Sequence, residues 1–245
     1  GFFFLSASFS AALEKPRRRG ILMCRDKDKG IETNMQYIVL DLEWNQAPSR
    51  EKTVTTPVRL SGEIIQIGAV RVSEAGEILE TLKCDVRPRH YTQMHYKIRE
   101  ITGITSAQLR RGIPFETAYR QLADFVGTDS VFLTWGPDDL PMLRTNMALY
   151  GYDTESLPRS YDLQLIFNAA QIRERRQCSL AAALELLHME QSPNMHDALA
   201  DAYDTARIAG VLDVAAGIAD YEAITEQYGS LSCGPAVEAG HYDTF

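Results

Sequence analysis

The sequence predicts one mixed α/β domain, a central sheet of five strands flanked by helices. Three observations predict it. Short apolar, β-branched-rich runs recur along the chain; the first three are close enough to form a meander; the later two alternate with segments of helical period. Tyr37-Ile38-Val39-Leu40 suits a strand buried on both faces, with Asp41 and Glu43 at its end. After a polar, Pro-containing loop through about Leu60, Glu63–Val70 is the second strand. Ile78–Val86 is the third, and Ser73-Glu74-Ala75-Gly76 between them is a hairpin signal. Tyr96–Thr102 reads as a helix ended by Gly103. Pro114 opens a longer helix, with Tyr119, Leu122, Phe125 and Val126 at helical spacing. Val131–Trp135 is the fourth strand, Pro137–Tyr150 a helix and Ser160–Leu163 the fifth strand. Helices follow near 163–174, 179–188, 196–217 and 220–228.

A length of 245 residues with 45% hydrophobic content supports one core of this size. No apolar run reaches the roughly 18 residues of a membrane span, so no membrane partner is expected. The net charge of −8 excludes a surface that is basic all over. It does not exclude an enzyme that grips a strand end locally, because bound divalent ions invert the local potential. Cys24, Cys84, Cys178 and Cys233 show no zinc spacing and read as free thiols of a reducing, cytoplasmic protein, with Cys84 and Cys178 buried.

The ends read differently. Residues 1–34 carry seven Lys/Arg and four Asp/Glu, with the apolar Phe2-Phe3-Phe4-Leu5 before the basic run, the wrong order for a secretory signal. They are expected to be a disordered extension or an added leader, with Met35 a natural start. Residues 35–228 form the domain, and 229–245 a mobile tail.

Asp41 and Glu43, two apart on a strand, project from the same face, and like charges at a core edge call for neutralisation. Mg²⁺ or Mn²⁺ would supply it; two hydrated acids at a strand end are the plainer reading of Asp-Leu-Glu alone. Asp139, at the junction after the 131–135 strand, stands where ligand groups gather in α/β sheets. Alone, it or Asp138 reads better as a helix cap. His196 and Asp201 are separated by about 140° on an ideal helix, so they converge only if His196 lies at or before the first turn, as Pro193 suggests. Asp197 and Asp201, four apart, cost a helix roughly 0.2–0.5 kcal/mol unless one is neutralised.

Taken together, the order and types resemble the DEDDh exonuclease superfamily, which includes RNase T and the proofreading epsilon subunit of DNA polymerase III. The finer resemblance is to the branch of KapD-type and enhanced-RNAi histone-mRNA exonucleases. Five stretches carry it: Tyr37–Trp44, Glu63–Val70, Ile101-Thr102-Gly103-Ile104, Trp135-Gly136 with Asp139, and His196–Asp201. The third has Ile101 where that branch usually has Leu. The resemblance covers roughly residues 36–215. It selects Asp139 over Asp138, because Met142 and Leu143 follow at the family's spacing, and Asp197 in place of Tyr selects the histidine class.

The resemblance implies an RNase H-like fold and 3′→5′ hydrolysis of RNA or single-stranded DNA to nucleoside 5′-monophosphates. It implies two divalent cations, Mg²⁺ or Mn²⁺, on Asp41, Glu43, Asp139 and Asp201, with His196 as general base. Trp44 is a candidate for stacking on the terminal base, or equally a core residue, and Leu42 and Gln66 are expected to line the pocket. The competing readings are a nucleic-acid-binding or regulatory protein with little catalysis, an RNase H-type endonuclease, and a structural domain with solvated acids.

Overall fold

The computed structural model describes residues 35–229. The expectations for residues 1–34 and for 230–245, with Cys24 and Cys233, lie outside the described residues. The first half is a meander: β1 (Gln36–Asn45), β2 (Glu63–Ser73) and β3 (Ile78–Arg87) pair antiparallel in sequence. Next come α1 (Tyr96–Thr102), α2 (Ser106–Arg111), the two-residue β4 (Ile113–Pro114) and α3 (Phe115–Val126). Then follow β5 (Ser130–Thr134), α4 (Asp139–Leu149) and β6 (Ser160–Asp162). The C-terminal helices are α5 (Leu163–Phe167), α6 (Leu180–Leu186), α7 (Ala198–Ala209), α8 (Val214–Ala219) and α9 (Tyr221–Tyr228).

The sheet has six strands in the order β4-β3-β2-β1-β5-β6, where five were expected. The extra strand, β4, pairs parallel to Val86 and Arg87. It is too short to show any alternation in sequence. Gly112 lets it approach, since a Cβ there would lie 2.7 Å from the Arg87 backbone nitrogen. The α2 helix was also missed, being six residues long; it carries a capping box between Thr105 and Gln108. Two expected helices are broken. The 163–174 segment passes from α5 into a π-helical turn at Asn168–Ile172. The 196–217 segment starts at Ala198 and is interrupted at Gly210–Asp213, where Asp213 caps α8 through the Ala216 N–H.

Each face of β1 packs a different core. Ile38, Leu40 and Leu42 join Phe115 and Leu122 of α3 and Leu143 of α4. Tyr37 and Val39 face the other way, against Leu163 of α5 and Ala202 and Ala206 of α7. Phe115, Phe132 and Phe167 are fully buried, each worth roughly 1.5–3 kcal/mol relative to exposure. Cys84 and Cys178 are buried free thiols, as expected. Among the described residues no helix is long and apolar enough to cross a membrane.

Candidate active site

Alternation along β1 puts Asp41 and Glu43 on the face covered by α7, in line with Tyr37 and Val39. What brings α7 there is a glycine. Gly68 pairs directly with Asp41 across the sheet, and a Cβ on it would lie 2.1 Å from the Ala198 backbone carbonyl. The start of α7 therefore rests on the β2 backbone beside Asp41, and Asp201 in its first turn reaches the same place. Gln66 pins the contact. Its amide oxygen accepts the Ala198 N–H at 2.8 Å and its amide nitrogen donates to Asp85 at 2.8 Å.

Asp139 arrives from the opposite side of the sheet order. The turn after β5 is held by Asp162, which accepts the Gly136 N–H at 3.0 Å and caps α5 through Gln164. Asp139 then stands in the first turn of α4, 6% exposed, and its carboxylate accepts the Leu42 N–H at 2.9 Å. Asp138 is exposed and makes no side-chain cap. Of the two acids, only Asp139 is turned inward onto β1.

His196 lies two residues before α7, so the 140° separation on an ideal helix does not apply. It is exposed, and its φ of 59° is a left-handed conformation that non-glycine residues take only where surroundings hold them. Here its N–H donates to the Asp201 carboxylate at 3.1 Å. Ligand-capable atoms of Glu43, His196 and Asp201 lie within 4.8 Å of one another. Asp197 caps α7 through the Ala200 N–H and forms an ion pair with Lys83 of β3.

The electrostatics follow from burial without cations. Burial first, then Asp139, Glu43 and Asp201, hold Asp41 well above the usual carboxylate range. Burial, followed by Asp201 and Asp139, pushes Glu43 up to about 8. Burial takes Asp139 to about 7 against the lowering effect of the Leu42 N–H. Burial likewise takes Asp201 to about 6, opposed by His196. Among the described residues no Lys or Arg forms an ion pair with any of these four. Four converging carboxylates that repel each other, with an imidazole alongside, are a donor set suited to hard divalent cations.

The three expected pocket residues are held in different ways. Leu42 is 3% exposed and its side chain belongs to the core; what it offers the site is its N–H. Gln66 is equally buried and both ends of its amide are engaged within the protein. Leu42 is thus a correction, its side chain claimed by core neighbours distant in sequence, while Gln66 does line the cleft beside Gly103 and Asp197. Trp44 is half-buried on the face of Leu42, packed over Gly62 and Met142. Sequence reasoning missed Gly68, Lys83 and Asp162. Only Gly68 left a signal, as a glycine inside a strand, which marks close backbone approach.

Comparison with known proteins identifies the family and the fold. A family model described as RNase_T, exonuclease, matches residues 49–209. The probable 3′-5′ exonuclease KapD of Bacillus subtilis (strain 168) is 27% identical over 115 residues, 46% of this chain and 54% of that protein. The chain thus aligns with about half the length of that relative. The nuclease domain of 3′hExo, a DEDDh family member bound to rAMP, superposes with a TM-score of 0.63 at 23% identity, over 78% of this chain and 95% of that one. Exonuclease I of E. coli in complex with a dA16 oligonucleotide gives 0.59 at 16% identity, over 77% and 43%. These structural likenesses show a shared RNase H-like exonuclease fold.

Proposed function

Because the chain belongs to the RNase_T exonuclease family, within the DEDDh superfamily, we propose that it shortens RNA or single-stranded DNA from the 3′ end. The products are nucleoside 5′-monophosphates. The observation that carries this reading is the convergence of Asp41, Glu43, Asp139 and Asp201 with raised carboxyls and no cationic partner. Those four would hold two divalent cations, Mg²⁺ or Mn²⁺. The ions supply stabilisation of charge on the scissile phosphate and on the departing 3′-oxygen.

The remaining work falls to the chain's own residues. His196, exposed and anchored by Asp201, takes the proton from the attacking water, a task suited to an imidazole near neutral pH. Asp201 orients the His196 segment through its backbone N–H, and Glu43 and Asp201 set the side from which water attacks. Asp139 is fixed by Leu42, so its carboxylate does not reorganise on binding. Trp44, half-buried at the end of β1, is assigned the terminal base. Leu42 and Gln66 act as positioning residues, through the N–H and the bridged amide.

The test is digestion of 5′-labelled single-stranded RNA and DNA with Mg²⁺ or Mn²⁺, beside Asp41→Ala and His196→Ala. A ladder shortening from the 3′ end, absent in both variants and in EDTA, is the expected result and ranks the substrates. Cleavage of a circular strand would replace this reading with an endonuclease. No digestion by a folded, metal-supplied protein would leave a nucleic-acid-binding or regulatory role.

A further inference from the structure

Charge is distributed unevenly along the chain. Residues 87–112 hold six of the eighteen Lys/Arg found in 35–245, but one of its twenty-nine Asp/Glu. Arg87, Arg89, Lys97, Arg99, Arg110 and Arg111 are all exposed, and among the described residues none forms an ion pair. The same segment presents Tyr96, 68% exposed, and Ile101, 48% exposed. The Tyr96 ring lies 4.8 Å from that of His95. Arg89 lies over the Tyr150 ring and Arg99, Arg110 and Arg111 suit the last turns of their helices, but none of the six meets an acid among the described residues.

The segment is also attached to the site. Ile98 of α1 and Leu109 of α2 pack on Ile65, the extra residue that β2 inserts opposite the Glu43–Trp44 step. Gly112 seats the end of α2 against Arg87 of β3. Between this unit and the site is a cleft of about 200 Å³, whose walls include Thr102, Gly103 and Gln108 on one side and Gln66 and Asp197 on the other. Asp197 is next to His196 in sequence.

We propose that the α1–α2 unit is a platform for the single strand upstream of its 3′ end, with Lys97, Arg99 and Arg110 on phosphates and Tyr96 stacked on a base. This rests on the exonuclease reading for the direction of the strand. Lys97, Arg99, Arg110 and Tyr96 lie on the exposed surface of the unit outside the cleft lining, and exposed cations beside an exposed aromatic are the ingredients of sequence-tolerant single-strand binding. The platform also answers how a chain of net charge −8 holds a polyanion: the attraction is local, at one edge of the acidic site. A strand reaching only the metal-holding carboxylates would not need it; a longer strand would.

The experiment uses the full chain, with anisotropy of labelled RNA and DNA about a dozen nucleotides long in EDTA, and Mg²⁺-dependent hydrolysis of a dinucleotide in parallel. Combined Lys97→Ala, Arg99→Ala and Arg110→Ala is expected to weaken long-strand binding about tenfold or more. It should also flatten the slope of log affinity against log salt by about 2, at ~0.7 for each phosphate no longer neutralised. Tyr96→Ala is expected to weaken it about tenfold without changing the slope. Dinucleotide hydrolysis stays at the wild-type rate in both. Unchanged affinity and slope, or equal losses on the dinucleotide and the long strand, would overturn the platform. Failure of the wild-type protein to hydrolyse either substrate would sink the exonuclease reading, while the binding measurement still decides this one.

Discussion

Two kinds of buried or half-buried carboxylate occur in this protein, and they are held in opposite ways. Glu63 is 2% exposed and accepts the backbone N–H groups of Arg89, His90 and Tyr91. Asp204 is fully buried and accepts from the Ser192 N–H and hydroxyl and from the Arg207 guanidinium. Each is a junction that ties a loop to an element. Asp41 and Glu43 accept no hydrogen bond from any described side chain or loop, and their nearest charged neighbours are other acids. Burying a charge costs several kcal/mol unless something compensates it. At Glu63 and Asp204 the compensation is built in. At the end of β1 no described cationic group provides it, which fits the proposal that these two acids hold cations.

Substitutions that treat the two kinds alike should therefore give opposite results. Asp41→Asn removes a repelled charge: nuclease activity is expected to fall by about 10³-fold or more, the scale of losing a key electrostatic contribution, while the metal-free protein melts at the same or a higher temperature. A lower melting temperature would place Asp41 with the structural acids. Glu63→Ala leaves buried N–H groups unpaired, at roughly 1–3 kcal/mol for each lost acceptor, so urea unfolding should show a loss of about 3 kcal/mol. Stability within error of wild type would dissolve the distinction from the other side.

Gly68→Ala sharpens the comparison at a distance. The added methyl overlaps the Ala198 backbone, α7 must shift, and Asp201 and His196 move away from Asp41 and Glu43. A displacement near 1 Å costs about 10²-fold in kcat, read in single-turnover digestion; an unchanged kcat would mean that α7 does not set the spacing.

The smallest effect is on stability against pH. Folded Glu43, Asp139 and Asp201 bind protons up to about 8, 7 and 6, each above its unfolded value. Between the unfolded and folded values the native state holds more protons, so stability falls as pH rises through that window. Metal-free protein should melt highest near pH 5 and lowest above pH 8, with Mg²⁺ or Mn²⁺ closing the gap. A melting temperature that rises toward pH 8 without metal would show that these acids find partners within the protein.

Local rules carried most of the sheet and the types of the site residues. Asp41 and Glu43 share a face because a strand repeats every two residues. His196 had to precede its helix because of the helical angle, and α7 does begin at Ala198. The boundaries that moved did so where long-range contacts intervene. The two-residue β4 exists because Arg87 is beside it, and the 196–217 helix stops where Asp213 caps its successor. The same limit explains the pocket. Leu42 stands between the right residues in sequence, yet is drawn into the core, while Gln66 lines the cleft with its amide bridged between Asp85 and Ala198.

The sequence by itself determined which groups could do the chemistry, and in what order along the chain, because alternation and capping are decided within a few residues. Only the tertiary structure decided where they meet: Asp139 on the Leu42 N–H, α7 resting on Gly68, Lys83 paired with Asp197. Those are contacts between segments up to 132 residues apart, as in the Gln66–Ala198 bond. They depend on how close two backbones can pass, and no local pattern records that distance.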